Sequence, residues 1–255
     1  MTFEDSKRRK RDKQDRLLDE RVARITSDIR NHIFRQLRSS EAEINRATSP
    51  DEIVSVIANT RVKISNADIE GFIAEYTSQY RQKVDAVRDS FEDIRRNPSF
   101  NEQDLDITRT MISFDVERIR QRIETYLADI NASIVNTRLQ GALVRTSNIE
   151  DNIGDKIVNN LNTEVTTNLD AFERTETVIQ GQKMGLNLFL YVGGLIKTSR
   201  DFCRERDGKV FSWDEIKTWD NGQLAPASVY LGGYNCRHHL APVTDEIARD
   251  EFGYR

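Results

Sequence analysis

The pattern of the chain changes at residues 186–194, which read Leu186-Asn187-Leu188-Phe189-Leu190-Tyr191-Val192-Gly193-Gly194. In an extended strand, Leu188, Leu190 and Val192 lie on one side and Phe189 and Tyr191 on the other. Because both sides are apolar, this run predicts a short strand that is covered on both faces; a buried helical turn is the alternative. The glycine pair then ends the run.

The residues before this run show the period of the α-helix, with apolar side chains at steps of three or four. The pattern predicts a first helix with an apolar stripe over 18–37 and a short helix from Pro50 to about residue 60, with Ile53, Val54 and Ile57 inward. Longer helices are predicted over about 66–96, 101–141 and 153–182. We expect these stripes to pack against one another. The predicted fold is mostly α: an elongated bundle of long amphipathic helices over residues 1–184, followed by a compact α+β module over 185–255.

The composition agrees with this architecture. Of the 255 residues, 37% are apolar and 31% are charged, with four prolines and twelve glycines. These values favour long amphipathic helices over a thick globular core. No apolar stretch approaches the roughly 20 residues of a membrane span, and no apolar signal core is visible, so we expect synthesis in a reducing cytoplasm.

The N-terminus carries the only strongly basic run, Lys7-Arg8-Arg9-Lys10-Arg11. A DNA contact by residues 7–16 is one interpretation. However, the first twenty residues hold seven basic and six acidic side chains, and the formal net charge of the chain is −4. An ion-paired helix start is therefore favoured over a DNA-binding arm.

The C-terminal module shows further local signals. Thr198 or Ser199 is predicted to cap a helix over 200–205, and Ser212 to cap a helix that ends near residue 219. An extended segment is predicted at residues 210–211. The run 229–231 (Val-Tyr-Leu) is predicted as a strand.

This module also contains both cysteines, Cys203 and Cys236, and two of the three histidines, His238 and His239. Zinc is one interpretation, since it favours thiolate and imidazole ligands, although neither cysteine has a Cys-x-x-Cys partner. A Cys203–Cys236 disulfide is a second interpretation, and buried free thiols are a third. A catalytic Cys236–His238 pair is the weakest, because the sequence shows only their proximity.

At these same residues the chain resembles the MuF-like head morphogenesis family of phage minor head proteins. The resemblance covers roughly residues 186–245. Its matching segments are Thr198-Ser199-Arg200-Asp201-Phe202-Cys203, Gly208-Lys209-Val210-Phe211, Gly233-Tyr234-Asn235-Cys236-Arg237-His238 and Pro242. The chain departs from the family pattern where Cys203 lacks a Cys-x-x-Cys partner. It departs again where Cys236-Arg237-His238-His239 replaces a His-Pro-x-Cys-x-Cys-like segment.

The resemblance implies a low-copy virion protein that acts in head assembly or at the portal region. Its expected partners are portal or capsid proteins and sister subunits, and no defined enzymatic activity is implied. The alternative is a hydrolase or nuclease carried in the virion that uses Cys236 and His238. A DNA-binding protein that uses the basic run is the third hypothesis.

Overall fold

A computed structural model describes residues 2–65, 68–92 and 94–255. The side chains of residues 11, 14, 61–65, 68, 103 and 105 lie outside the described set. The helices, in chain order, are α1 Phe3–Arg46, α2 Pro50–Ser65, α3 Asp68–Glu92, α4 Glu102–Leu139, α5 Thr146–Ile149, α6 Asp155–Lys183, α7 Asp201–Arg204, α8 Trp213–Ile216, α9 Ala227–Tyr230 and α10 Asp245–Phe252. A π-helical segment, Glu150–Gly154, joins α5 to α6, and the strands are β1 Leu188–Val192, β2 Lys209–Ser212 and β3 His239–Val243.

The architecture is mostly α-helical with a small α+β module near the C-terminus, as the sequence predicts. The chain divides into two compact units: unit 1 comprises Met1–Glu20, Ser78–Ser113 and Thr166–Arg255, and unit 2 comprises Arg21–Thr77 and Phe114–Val165. The predicted boundary at 184/185 marks the change from helix to strand, since α6 ends at Lys183 and β1 begins at Leu188. Segments of α1, α3, α4 and α6 belong to the same unit as residues 185–255.

The predicted apolar stripes are largely buried. In unit 2, Val22, Ile29 and Ile33 of α1 are each at most 2% exposed. In α2, the buried pair Ile53 and Ile57 lies one turn apart, as predicted. Val54 was expected to face inward and is 59% exposed, because the next position along a helix is rotated by about 100°. Among the residues that the structure describes, no helix combines the length and apolar character needed to cross a bilayer.

The sheet in unit 1 has the order β2-β1-β3, and both pairings are antiparallel. Every residue of β1 is buried. Phe189 and Tyr191 face one core that includes Cys203 and Cys236. The other three apolar residues of β1 face a second core formed with β2, β3 and α10. The prediction of a short strand covered on both faces is confirmed.

One strand prediction in the module is wrong. Residues 229–231 do not form a strand: Ala227 begins the helical turn α9, and Leu231, one turn further on, is buried and has a φ of 46°. Ala227 and Leu231, four positions apart, are both buried by this helical turn, and their burial overrides the strand propensity of Val-Tyr-Leu. The third strand is instead β3, which contains Pro242 and lies at the edge of the sheet, where a proline is tolerated.

The predicted caps have mixed outcomes. Ser212 caps α8 through a reciprocal capping box with Glu215, as expected, although the helix ends at Ile216. No side chain caps α7, whose N-cap residue is Arg200. Ser199 Oγ accepts a hydrogen bond from the Ile196 N–H instead, at 2.8 Å, so it closes a turn upstream of the helix.

Candidate functional site

Three of the predicted site residues converge in unit 1. Cys203 lies on α7, Cys236 follows α9, and His238 immediately precedes β3. The Sγ atoms of Cys203 and Cys236 lie 3.9 Å apart, and Cys236 Sγ lies 3.8 Å from His238 Nδ1. All three potential ligand atoms lie within 4.8 Å of one another, and all three residues are buried. We call these three residues the Cys/His cluster.

The fourth predicted ligand, His239, does not join the Cys/His cluster. It is the first residue of β3, and successive residues of an extended chain point to opposite sides. His239 lines a small cleft with side chains of α1 and α3, among them Lys7 and Asp89. The adjacent histidines therefore occupy two separate environments.

Tyr191 of β1 covers the Cys/His cluster. Its ring stacks on the His238 ring, with centroids 4.8 Å apart and an interplanar angle of 26°. Its hydroxyl donates a hydrogen bond to Cys203 Sγ at 3.3 Å. Trp219 and Phe202 meet the Tyr191 ring edge-on. The cluster is thus enclosed by aromatic side chains.

A carboxylate stands behind the imidazole. The Nε2 atom of His238 lies 3.4 Å from Oδ1 of Asp207, whose side chain is 7% exposed. The other oxygen of Asp207 accepts a hydrogen bond of 2.8 Å from Arg8, which also pairs with Glu4. The sequence indicates only a turn at Asp207, because no local pattern reveals its pairing with Arg8, which lies 199 positions away.

Arg174 of α6 holds the backbone around the cluster. Its guanidinium donates to three carbonyl oxygens: Nε to His238 at 2.9 Å, Nη2 to Cys236 at 2.5 Å and Nη1 to Val229 at 3.3 Å. Its side chain is 1% exposed. A buried arginine that satisfies three carbonyl groups fixes the path of the chain on both sides of Cys236. Nothing in the sequence distinguishes Arg174, since charged residues are common throughout the helices.

Two glycines permit the close packing. A Cβ atom on Gly232 would lie 2.4 Å from Cys203 Sγ and 3.1 Å from Cys236 Sγ. A Cβ atom on Gly193 would lie 2.5 Å from the His238 Cα atom. The glycine pairs visible in the sequence thus provide room for the sulfurs and for the chain at His238.

The two thiols have opposite electrostatic tendencies. The pKa of Cys236 is lowered, because its sulfur accepts a hydrogen bond from Cys203 and, in addition, faces His238 and the charge of Arg174; burial opposes this effect. The pKa of Cys203 is raised by that hydrogen bond with Cys236 and by burial. Burial and the neighbouring sulfurs also raise the pKa of the Tyr191 phenol. Without a bound cation, these opposite shifts favour a thiolate at Cys236 over one at Cys203.

This arrangement restricts the available chemistry. Cys203, Cys236 and His238 are 3%, 5% and 3% exposed, so a substrate has little access to them. A cleft of about 490 Å³ lies between α1 and α3 in unit 2 and is lined by residues such as His32 and Phe72. No residue of the Cys/His cluster lines this cleft or the small cleft beside His239. Thiolate and imidazole groups in such a buried set are suited to a soft metal ion.

The predicted DNA-contact segment, residues 7–16, is helical and partly engaged within unit 1. Lys7 is buried, and its Nζ atom donates to the Ser90 carbonyl oxygen at 2.5 Å. Arg8 forms the pairs with Glu4 and Asp207 described above. The side chains of Arg11 and Gln14 lie outside the described residues. At least two of the five basic residues of the run are thus committed to contacts within the protein.

Comparison with known proteins identifies no relative: no protein-family model, no curated protein and no solved structure matches this chain.

Proposed function

We propose that this protein is a structural component of a bacteriophage head that acts in head assembly or at the portal region, with portal or capsid proteins or sister subunits as its partners. The proposal comes from the resemblance of residues 186–245 to the minor head proteins. It assigns the long helices to partner binding and the C-terminal module to a compact terminal fold.

One structural observation supports this proposal over an enzymatic function. Phe202, Cys203, Phe211 and Cys236, all within the segments that carry the resemblance, pack in or against a single hydrophobic core around Tyr191. Residues that distinguish an enzyme family normally line a cleft that the substrate can enter. Here these residues form the interior of the C-terminal module. Such an arrangement is expected when the residues that carry a resemblance specify a fold and not an active site.

The hydrolase or nuclease hypothesis needs Cys236 to reach a substrate. A nucleophilic cysteine requires both a base within hydrogen-bond reach and access for the reacting group. His238 Nδ1 lies 3.8 Å from the sulfur, and Cys236 is 5% exposed beneath Tyr191 and Gly232. We therefore propose no catalytic function for this pair.

The test is quantitative mass spectrometry of gradient-purified virions and DNA-free heads from cells in which this chain is produced during phage growth. We expect the intact chain in both particles, at a copy number well below that of the major capsid protein. Its absence from both would overturn the proposal. Binding to co-expressed portal protein then distinguishes a portal-associated subunit from one elsewhere in the head.

A variant tests whether the terminal module is needed. Replacement of Arg174 by methionine removes the donors that hold residues 236 and 238, and we expect reduced incorporation into heads. Arg109→Met is the matched control, because Arg109 is 74% exposed and pairs only with its neighbour Asp106 in the contacts the structure describes. Equal incorporation of both variants would show that the module is dispensable for assembly.

A further inference from the structure

We propose that Cys203, Cys236 and His238 bind one zinc ion, through their two Sγ atoms and the Nδ1 atom. The role of the ion is structural: it links α7 to the segment before β3. This inference rests on the contacts within unit 1 and does not depend on the proposed role in the phage head.

The distances fit a tetrahedral site. Zinc binds thiolate sulfur at about 2.3 Å and imidazole nitrogen at about 2.0–2.1 Å, so the edges of the tetrahedron measure about 3.8 Å between sulfurs and about 3.6 Å between sulfur and nitrogen. The observed separations are 3.9 Å between the sulfurs and 3.8 Å between Cys236 Sγ and His238 Nδ1. Since all three atoms lie within 4.8 Å of one another, the remaining pair needs only a small side-chain rotation.

The charge balance suits the burial. Two thiolates and a neutral imidazole give the divalent ion a net charge of zero, and binding releases the two thiol protons to solvent. A neutral assembly avoids the high cost of an uncompensated charge in an apolar interior. This interior is strongly apolar, with Phe189, Ile216, Leu231 and Leu240 in the same core.

Both proposed sulfur ligands have hydrogen-bonded outer partners, and a carboxylate lies close to the proposed histidine ligand. Cys203 Sγ accepts a hydrogen bond from the Tyr191 hydroxyl, and Cys236 Sγ accepts one from the Gly232 N–H, both at 3.3 Å. Asp207 Oδ1 faces His238 Nε2 at 3.4 Å. No hydrogen bond joins these two atoms in the structure; a carboxylate that accepts the Nε2 proton would leave Nδ1 free to bind the metal. The two sulfurs thus have outer hydrogen bonds of the kind that zinc ligands receive, and a carboxylate lies beside the imidazole.

The geometry also distinguishes zinc from the other interpretations of the cysteines. A disulfide needs the sulfurs at about 2.05 Å, so Cys203 and Cys236 would have to approach by nearly half of their separation. A pair of plain thiols explains their burial but not the carboxylate behind His238. Magnesium and calcium prefer oxygen ligands, whereas this set offers sulfur and nitrogen.

The experiment uses the full chain, purified without an affinity tag and in metal-free buffer. We expect one equivalent of zinc per chain by elemental mass spectrometry. X-ray absorption at the zinc edge should show two sulfur neighbours and one imidazole nitrogen. Wild-type protein without zinc and with two free thiols would overturn the proposal. So would an intramolecular disulfide, or zinc bound only by nitrogen and oxygen, which would mark an adventitious ion.

Matched histidine variants locate the site. His238→Gln should lose the metal, whereas His239→Gln, the same change at the next residue, should retain one equivalent. Cys203→Ser should likewise lose most of its zinc. Equal zinc content in the two histidine variants would overturn the assignment of His238. Where a variant does not fold, the absorption spectrum of the wild-type protein decides the question alone.

Discussion

The buried guanidinium of Arg174 donates a hydrogen bond of 2.9 Å to the backbone carbonyl oxygen of His238, which ties α6 to the start of β3. A second bond from the same group to the Cys236 carbonyl oxygen brackets the loop between them. Arg174 lies 64 residues before His238, so this contact arises from the tertiary structure of the module and not from the local sequence.

Replacement of Arg174 should therefore destabilise unit 1. Arg174→Met leaves three carbonyl oxygens without this donor, two of them in buried contacts, and we expect the free energy of unfolding to fall by about 3–5 kcal/mol. Arg174→Lys keeps the charge but not the planar fork, so its loss should be intermediate. Urea denaturation followed by circular dichroism measures both. The exposed Arg109→Met control should change the free energy of unfolding by less than about 0.5 kcal/mol. A change just as small in Arg174→Met would contradict the role of Arg174 in holding the backbone around the Cys/His cluster.

Gly232 gives a second test of packing at the sulfurs. A Cβ atom there would lie 2.4 Å from Cys203 Sγ, so Gly232→Ala must displace the thiol or the chain. We expect a loss of about 1–3 kcal/mol, the usual cost of overpacking. Gly71→Ala is the control, since a Cβ atom at this exposed helical position meets nothing within 4 Å. It should stabilise by up to about 1 kcal/mol through helix propensity. Thermal unfolding of both variants should show shifts of opposite sign.

The outcomes in the module show which features a sequence specifies locally. The two faces of β1 follow from alternation alone, because Phe189 and Tyr191 must lie opposite Leu190 in any strand. Ser212 and Glu215 are three residues apart, so their capping box is also a local feature. These predictions needed no knowledge of the rest of the chain.

The remaining features depend on contacts between distant residues. The third strand begins at His239 and contains a proline, and only its pairing with β1 identifies it as a strand. Likewise, Asp207 gains its place behind His238 from the fold of the module. Of the four metal ligands that the sequence predicted, the structure brings Cys203, Cys236 and His238 together and places His239 elsewhere. The outer partners of these ligands were not predicted.

Asp104, at the start of α4, should make the stability of the fold sensitive to acid. The residue is buried, which by itself raises its pKa; hydrogen bonds from Lys183, the Asn101 N–H and Gln180 outweigh burial and hold the pKa below its ordinary value. A carboxylate with a lowered pKa stabilises the fold above the pKa of the unfolded chain, and this contribution is lost as pH falls through the folded pKa.

Asp104→Asn should accordingly cost about 1–3 kcal/mol at pH 7, by loss of these charge-assisted bonds. The difference from wild type should shrink on acidification below about pH 4, as the wild-type carboxylate is protonated. Asp106→Asn, on the same helix and with a side chain that is 71% exposed, is the control and should show little effect at either pH. A constant difference across this range would mean that the ionised form of Asp104 contributes nothing.

Glu176, one of the neighbours of Asp104 in unit 1, should show the opposite pH dependence. It is fully buried on α6, and burial raises its pKa; the nearby Asp104 charge adds to this, and a hydrogen bond from Thr108 at 2.9 Å opposes it. Its Oε2 atom has no hydrogen-bond donor among the described residues. Ionised Glu176 therefore destabilises the fold above its raised pKa, and protonation relieves this cost as pH falls.

Glu176→Gln keeps an acceptor for Thr108 without the charge, so it should be more stable than wild type at pH 7. In urea titrations at several pH values this advantage should decline towards pH 4, and exposed Glu102→Gln should show no such trend. A less stable Glu176→Gln variant at neutral pH would show that the buried carboxylate is needed in its charged form.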